Sequence, residues 1–420
     1  MTGKLILSLA AMALASTSSN AQPIDPKVQA RIDRILKATP LIDGHNDLAE
    51  QLRENYGGRT EGLASGTEKW KKPLMTDMAR LRAGRVGGQF WSVFIPADVE
   101  GDRAIRNTLE EIDIAKRFIA AYPRDLEQAY TADDVVRIHK AGRVASLIGV
   151  EGGHQMAHSF AALRQYYNLG ARYMTLTHFK TTDWADSATD VPRHNGLTDY
   201  GKSVVREMNR IGMLVDLSHV SEGTMMSALD VSKAPVIFSH SSAQAIDGHP
   251  RNVGDAVLRR LPANGGVVMV NFAPDYVSDA VWKWSGDRDA EKARIARMLT
   301  GHTQAELDAA LATWVAAHPE PKATIAQIAD HVEHVAKVAG YDHVGIGGDL
   351  DGIPSTPEGM TGVQDYPNLF AELIRRGWSD ANLAKLAGGN VLRALRQAEA
   401  VSKAMSNEPP AADPLTPDYQ

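Results

Sequence analysis

The sequence predicts an α/β fold, a (β/α)8 TIM barrel that carries a helical insertion after its seventh strand. Eight apolar runs recur along the chain, and segments with helical signals separate them. The 420 residues are 44% hydrophobic, which leaves ample length for a barrel and an insertion. An open doubly wound sheet is the alternative, but no glycine-rich phosphate loop follows the first run to favour it.

The eight runs are mostly continuous in apolar residues, which is typical of parallel strands that are covered on both faces. In chain order, strands are predicted at 40–48, 86–96, 145–152, 171–179, 214–219, 235–242, 265–272 and 343–352. The fifth run, "LVDLSH", and the sixth, "PVIFSH", both stop at Ser-His. An apolar strand that ends on histidine indicates a functional group at its carboxyl end.

Helical signals lie between these strands. The segment 198–211 places Val204, Val205 and Met208 on one face and stops at Gly212. Thr324 and Gln327 form a capping box at the start of a further amphipathic segment. Strands that alternate with amphipathic helices favour the barrel.

Three further segments are predicted around the barrel. Residues 1–21 are typical of a signal peptide, with Lys4, an apolar run and a small-x-small end at Ala21. The barrel domain is predicted at 22–405, and 406–420 is predicted to be a flexible polar tail. The insertion, about 277–322, is predicted to be helical and to form a wall of the cleft, with three tryptophans available for packing. The mature chain is expected to be exported, either periplasmic or secreted.

Composition narrows the class of protein. The chain has no cysteine, which excludes disulfides, thiolate metal sites and cysteine nucleophiles. The net charge of −6 gives no support for a nucleic-acid partner. After the N-terminal run, no stretch is long and apolar enough for a membrane span.

Metal-ligand residues stand at the predicted strand ends. His45 and Asp47 are expected on the first strand, where alternate residues point the same way. Further strand ends carry Glu151, His178, His219, His240, Asp349 and Asp351. Histidine and carboxylate without cysteine suit zinc or a similar divalent ion. Three histidines, one glutamate and one aspartate from this set are already too many ligands for one open ion, but they suit two ions that share a carboxylate.

The motifs resemble those of one known family. In order, they read "DGHND", "GVEGGH", "MTLTH…WADS", "VDLSH", "FSHSSA…HPRNV", "VMVNF" and "GIGGDLDG". From about residue 40 to about residue 400, the chain resembles the membrane (renal) dipeptidases, a dizinc branch of the amidohydrolase barrels. The resemblance implies zinc-dependent hydrolysis of dipeptides, in which a metal-bridging water attacks the peptide carbonyl.

The resemblance also implies a set of metal ligands. One zinc would be bound by His45 and Asp47, and the other by His219 and His240. Glu151 would bridge the two ions, in place of the carbamylated lysine of many barrel relatives.

Four residues are implied to act on the substrate. His178 would face the scissile carbonyl, and Arg251 and Tyr276 would bind the terminal carboxylate. Asp349 would bind the substrate amine and transfer the catalytic proton. The remaining histidines are interpreted as surface or packing residues.

Two other functions stay open on the residues alone. A phosphotriesterase or a deaminase on the same barrel would use similar ligands, and a periplasmic binding protein would need no metal. The expected partners are dipeptides, and a second copy of the chain is an open alternative.

Overall fold

The computed structural model describes residues 23–413. The predicted signal peptide lies outside the described residues, and so does the end of the predicted tail, 414–420. Among the described residues, no helix combines the length and the apolar character that crossing a bilayer requires.

Eight parallel strands close into a barrel, which confirms the predicted fold class. The described strands are β1 (Leu41–Asn46), β2 (Val86–Phe94), β3 (Leu126–Gln128), β4 (Val144–Glu151), β5 (Ala171–Thr175), β6 (Leu214–Asp216), β7 (Val236–Phe238), β8 (Val267–Val270) and β9 (Val344–Ile346). The order is β2-β1-β9-β8-β7-β6-β5-β4, and pairing of β2 with β4 closes the ring. The short β3 pairs with the start of β4 and is the one described strand that the apolar runs did not predict.

Helices follow the strands around the barrel. They are α1 (Pro26–Ala38), α2 (Leu48–Tyr56), α3 (Met78–Ala83), α4 (Gly101–Ala121), α5 (Ala132–Lys140), α6 (Phe160–Leu169), α7 (Asp199–Ile211), α8 (Glu222–Val231), α9 (Asp255–Leu258), α10 (Leu261–Asn264), α11 (Pro274–Val277), α12 (Asp279–Met298), α13 (Gln304–Ala317), α14 (Ile325–Ala339), α15 (Tyr366–Arg375), α16 (Asp380–Ala384) and α17 (Asn390–Ala404). The predicted capping box is present: Thr324 accepts from the Gln327 N–H at the start of α14.

The barrel interior is a packed core and not a pore. Phe90, Tyr173, Ile237 and Met269 fill it and are at most 1% exposed. The same cluster continues into buried side chains of α17, such as Leu395. Since apolar packing occupies the interior and α17 adjoins it, the polar groups collect at the carboxyl ends of the strands.

Several strands are shorter than predicted, so the ligand-type residues lie in turns beyond them. β6 ends at Asp216 and β7 at Phe238, whereas His219 and His240 follow in the connecting turns. The expectation that His45 and Asp47 alternate on one strand is wrong. Asp47 is the N-cap of α2, because the Asn46 side chain accepts from the Leu48 N–H and turns the chain into that helix.

The insertion is helical, as predicted, and forms α12 and α13. Thr303 and Glu306 make a capping box at the start of α13. The Trp284 ring lies 6.2 Å from the Trp314 ring, so the tryptophans pack the two helices together. The Ser285 hydroxyl donates to Asp275 (2.7 Å) and attaches α12 to the segment that follows β8.

The described start of the polar C-terminal segment contacts the barrel, unlike the loose tail that its composition suggests. The Ala411 N–H donates to Glu207 of α7 (3.1 Å), and Asp413 accepts from the Phe160 N–H at the start of α6. Hydrogen bonds to the backbone therefore order this segment despite its low hydrophobicity.

Candidate metal centre and active site

Glu151, the last residue of β4, lies at the centre of the polar cluster. Its Oε1 is 2.9 Å from Nε2 of His219 and 3.4 Å from Nε2 of His240. Its Oε2 is 3.5 Å from Nε2 of His45, which in turn lies 3.3 Å from Oδ2 of Asp47. The two oxygens of one carboxylate thus face two different groups of side chains, and the structure brings all five predicted ligands together.

The cluster contains overlapping groups whose donor atoms lie within 4.8 Å of one another. They are His45, Glu151 and His240; Glu151, His178 and His219; and His45, Asp47 and Asp349. Glu151 and His45 each belong to two of these groups. This overlap is the geometry that two neighbouring cations with a shared carboxylate require.

His45 is oriented by a tyrosine from across the barrel. Its Nδ1 lies 2.8 Å from the hydroxyl of Tyr173, and that hydroxyl donates to the Gly44 carbonyl (3.2 Å). Because the hydroxyl proton is used for Gly44, Nδ1 of His45 carries the donated proton and Nε2 presents its lone pair to the cluster. Burial disfavours the protonated ring, but Tyr173, Asp47 and Glu151 outweigh it and raise the pKa of His45 well above its usual range. Without a cation Nε2 therefore also holds a proton, and its lone pair becomes available to a metal ion that displaces this proton.

His240 is oriented in the same way by a serine and an aspartate. The Ser239 hydroxyl donates to Oδ2 of Asp216 (2.6 Å) and lies 2.8 Å from Nδ1 of His240. Nδ1 therefore carries the proton, and Nε2 faces the cluster as an acceptor. Burial lowers the pKa of His240 well below its usual range, so the ring is neutral, as a metal ligand must be.

His219 is held in a left-handed backbone conformation, with φ of 66°. Its carbonyl accepts from the Ala188 N–H (2.8 Å), which fixes the turn. Its Nε2 lies only 2.8 Å from Nε2 of His240. Burial lowers the pKa of His219 well below its usual range, so two neutral rings direct their nitrogens at one place.

The donor atoms fit a cation. His45 Nε2 and both oxygens of Asp47 are buried and have no hydrogen-bond partner among the described residues. Buried polar atoms without partners are costly, and a divalent ion that accepts their lone pairs would remove that cost. Imidazole and carboxylate without thiolate are ligands that suit zinc.

Asp349 lies beside this cluster, between His45 and a buried asparagine. Its Oδ2 accepts from the Asn271 amide (2.9 Å), which fixes the carboxylate. Burial raises the pKa of Asp349 to about 8, and the carboxylates of Asp47 and Glu151 add to the rise. Such a carboxyl group can hold a proton and release it near neutral pH.

Gly352 allows the approach of two of these carboxylates. A Cβ atom at Gly352 would lie 2.6 Å from Oδ1 of Asp349 and even closer to Oδ2 of Asp47. A larger residue would therefore displace groups of the site, which explains the final glycine of "GGDLDG".

His178 approaches the same oxygen of Glu151 as His219 and His240, with its Nε2 3.6 Å from Oε1. Its ring is packed against Phe94, with 4.5 Å between ring centroids. Burial lowers the pKa of His178 to about 4, and the charge of Arg251 acts in the same direction. The ring is therefore neutral, and Nδ1 has no hydrogen-bond partner among the described residues.

Arg251 is a buried guanidinium, only 1% exposed. It donates to the Ser241 hydroxyl (3.1 Å) and to the His240 carbonyl (3.2 Å), and its Nε has no partner among the described residues. The guanidinium carbon lies 5.3 Å from the centre of the Tyr276 ring. No carboxylate in the described part of the chain forms an ion pair with it, so a buried positive charge is left for an anionic ligand.

A cavity of about 260 Å³ opens onto these groups. It is near the lower end of the range for small-molecule sites, which suits a small ligand. The predicted residues that line it are Asp47, Glu151, His178, His219, Arg251, Tyr276 and Asp349. The insertion also contributes lining residues, namely Ser285, Arg288 and Glu320. None of the other described histidines lines this cavity.

Sequence reasoning missed the residues that orient the ligands. Tyr173, Asp216 and Ser239 read as ordinary residues of buried strands, and nothing local marks their partners. Asn271 is part of the quoted motif "VMVNF", and a buried asparagine after an apolar strand was a usable signal. Glu50 lines the cavity three residues after Asp47 and was also not singled out.

A TIM barrel whose strand ends bring histidine and carboxylate side chains together is typical of metallohydrolases. The sequence profile of the membrane dipeptidase family (peptidase family M19) matches residues 29–409. The chain therefore belongs to the membrane dipeptidase family, and it is a metal-dependent dipeptidase. This membership selects the dipeptidase prediction over a phosphotriesterase, a deaminase or a binding protein.

Individual relatives agree with this assignment. Dipeptidase tcpJ of Claviceps purpurea (strain 20.1) is 40% identical over 384 residues, which cover 89% of this chain and 81% of that protein. The probable dipeptidase PvdM from Pseudomonas aeruginosa is 25% identical, with a TM-score of 0.75, and the match covers 90% of this chain and 100% of that one. A metallopeptidase from Rhodobacter sphaeroides, liganded with a phosphinate mimic of the dipeptide L-Ala-D-Ala, shares the fold at 22% identity and a TM-score of 0.70, and the match covers 86% of this chain and 99% of that one.

Proposed function

We propose that this protein hydrolyses dipeptides with two zinc ions, bound on either side of Glu151. His45 and Asp47 would hold one ion, His219 and His240 would hold the other, and Glu151 would be shared between them. The proposal rests on the placement of the two oxygens of the Glu151 carboxylate. Oε2 faces His45, whereas Oε1 faces His219 and His240. When bound there, the two ions supply a Lewis acid for the carbonyl and acidify the attacking water.

The side chains of the site act on the substrate around these ions. Neutral His178 donates a hydrogen bond to the carbonyl oxygen, where negative charge develops during attack. Asp349 accepts the proton that the water loses and delivers it to the leaving amine. Burial and the carboxylates of Asp47 and Glu151 raise the pKa of Asp349, whereas bound cations would oppose this rise, and such opposing effects suit a group that takes up and releases a proton.

Arg251 binds the terminal carboxylate of the substrate. The guanidinium is buried, its charge has no described counter-ion, and Tyr276 covers one side of it. A planar guanidinium can form two charge-assisted hydrogen bonds to a carboxylate. A dipeptide is the shortest chain that offers both a peptide bond and this carboxylate, so the clamp explains selection for dipeptides.

The test compares one dipeptide as the free acid and as the C-terminal amide. Arg251→Met keeps much of the side-chain bulk and removes the charge. We expect kcat/KM for the acid to fall, because a buried charge pair is lost. The fall should correspond to a loss of about 2–5 kcal/mol in the free energy of transition-state binding. The amide has no carboxylate to clamp, and its kcat/KM should fall far less.

Arg259→Met is the matched control, because Arg259 is exposed and, within residues 23–413, pairs only with Asp255 of its own helix turn. It should retain the acid-to-amide ratio of the wild type. An equal fall for acid and amide in Arg251→Met would mean that Arg251 supports the fold or the ions and does not read the carboxylate.

We propose further that the chain is exported. The support is the pattern of Lys4, an apolar run and the small-residue end at Ala21. We expect protein recovered from the periplasm or medium to begin at residue 22, as N-terminal sequencing would measure. A recovered chain that still begins at Met1 contradicts the proposal. A second copy of the chain as a partner stays a prediction that sedimentation of the purified protein can decide.

A further inference from the structure

Glu50 is a carboxylate of the cavity that the proposed function does not use. It lies in the first turn of α2, three residues after Asp47, and its side chain is half-buried at the cavity lining. Residues three apart on a helix share a face, so Glu50 is on the side of the cavity that Asp47 occupies.

No described side chain neutralises Glu50. Its carboxylate forms no ion pair among the described residues, and the charges that act on it are acidic: Asp47, Glu54, Glu111 and Glu151. Arg53, a neighbour on the same helix, is engaged elsewhere, at 3.0 Å from Glu110 and 3.6 Å from Glu111. Burial and these like charges raise the pKa of Glu50 to about 9, so the group is protonated while the cavity is empty. A positively charged ligand would favour its ionised form, and the position therefore suits a cationic group.

The cavity is polarised from one side to the other. Arg251 donates to the His240 carbonyl, and its charge acts on His178, His219 and His240. Asp349 belongs to the group formed with His45 and Asp47, next to the start of α2. A dipeptide with its carboxylate on Arg251 and its amine near Asp349 therefore places its amino-terminal residue on the side of Glu50.

Resting on the proposed function, we propose that Glu50 is a specificity-determining residue that selects dipeptides whose amino-terminal residue has a cationic side chain. Asp349 serves the α-amine in this arrangement, which leaves the Glu50 carboxylate for the side chain. Lysine is the simplest case, because its flexible stem carries a compact ammonium group to the carboxylate.

The experiment uses the full-length metal-loaded enzyme and two substrates that differ in one charge. Lysyl-alanine is compared with norleucyl-alanine, which has a similar stem and no ammonium group. The wild type should prefer lysyl-alanine in kcat/KM. In Glu50→Gln the ratio of lysyl- to norleucyl-alanine should fall roughly tenfold, as expected for the loss of one charged hydrogen bond.

Glu54→Gln is the matched control. It makes the same chemical change one turn later on α2, at an exposed position outside the cavity lining. It should keep the ratio of the wild type. Glu50→Lys provides the reverse case and should shift the preference towards glutamyl-alanine.

Metal content per chain is measured for every variant. Glu50→Gln should retain the metal of the wild type, because Glu50 is not among the groups of convergent donor atoms. Loss of metal in Glu50→Gln, or an equal fall for both substrates, would overturn the inference and assign Glu50 to the ions or to the α-amine.

The experiment distinguishes failure of the proposed function from failure of the inference about Glu50. If the metal-loaded wild type hydrolyses neither substrate nor any other dipeptide, the proposed function is wrong and the inference falls with it. If dipeptides are hydrolysed and Glu50→Gln keeps the wild-type ratio, only the role of Glu50 is wrong.

Discussion

At the scale of single residues, the Tyr173 hydroxyl determines which nitrogen of His45 is free. Tyr173 is fully buried in the barrel interior, and its hydroxyl lies between the Gly44 carbonyl and Nδ1 of His45. The ring can occupy this place because residue 149 is a glycine: a Cβ there would overlap the Tyr173 ring. A single hydroxyl group thus connects the packed core to the metal centre.

Tyr173→Phe removes this hydroxyl and leaves the ring. We expect metal affinity to fall about 10- to 100-fold, because a ligand loses the partner that fixes its tautomer and orientation. Competition with a chelating dye would measure the affinity. Tyr341→Phe, at a partly exposed tyrosine, is the control. Unchanged affinity in Tyr173→Phe would show that packing alone orients His45.

The ligand-type residues could be predicted from the sequence, whereas their supporting partners could not. His219 and His240 stand out because each interrupts an apolar run at its end. Tyr173 is one aromatic residue in a strand, and its partner lies 128 positions away. Only the closure of the barrel brings the two together, so no local pattern contains this information.

At the scale of elements, Asp216 links the carboxyl ends of three adjacent strands. Its carboxylate accepts from the Thr175 hydroxyl of β5 (2.6 Å) and from the Ser239 hydroxyl after β7 (2.6 Å). It also accepts from the N–H groups of Ser218 and Ser239, at 3.1 and 2.8 Å. These hydrogen bonds to Asp216 lie at the carboxyl ends of the strands, and they shape the two turns that carry His219 and His240.

Asp216→Asn replaces one acceptor oxygen with an amide donor. We expect a loss of about 1–3 kcal/mol in the free energy of unfolding, because buried donors lose an acceptor. The Ser239 hydroxyl would also accept from the new amide and could donate to Nδ1 of His240, which would place the proton on Nε2 and block ligation. Urea denaturation and metal analysis measure the two effects.

Asp230→Asn is the control for this change, since Asp230 is exposed and pairs only with Arg260. If Asp216→Asn lost stability but kept its full metal content, Asp216 would stabilise the turns without orienting His240 for metal binding.

The presence of the eight barrel strands could be predicted from the sequence, but the residues at which they end could not. The apolar run "LVDLSH" continues through Leu217, which is buried, whereas β6 stops at Asp216. Burial continues because the Leu217 N–H still donates to the Ile237 carbonyl of β7 (2.8 Å), and beyond it the Ser218 N–H donates to the Asp216 side chain (3.1 Å). Likewise, the helical insertion was predictable, but the approach of Arg288 and Glu320 to the cavity depends on how α12 and α13 pack.

At the scale of the whole molecule, metal binding should stabilise the fold. The donor atoms come from β1, β4 and the turns after β6 and β7, so bound ions connect distant parts of the barrel. At a free metal concentration of about 1,000 times Kd, one site adds about 4 kcal/mol to the free energy of unfolding. Thermal melting with zinc and with a chelator should show a clear rise with zinc.

His219→Ala removes one proposed ligand and tests whether metal binding stabilises the fold. Metal analysis should give about two ions per chain for the wild type and at most about one for the variant. Its melting temperature should respond less to zinc. Full occupancy in His219→Ala, or a wild type whose melting ignores both zinc and chelator, would contradict the proposed ligand set.

The closure of the barrel has a consequence for how the chain matures. β1 pairs with β9, and the Gly348 N–H donates to Asp43, 305 positions earlier in the sequence. During synthesis, most of the strands exist before the segment that joins the first strand to the last. Contacts this distant along the chain form slowly. Asp349 enters the site at the same late moment, so an incomplete chain carries the proposed metal ligands without the proposed proton carrier. A ribosome-bound nascent chain should therefore be hydrolytically silent until nearly all of it has emerged.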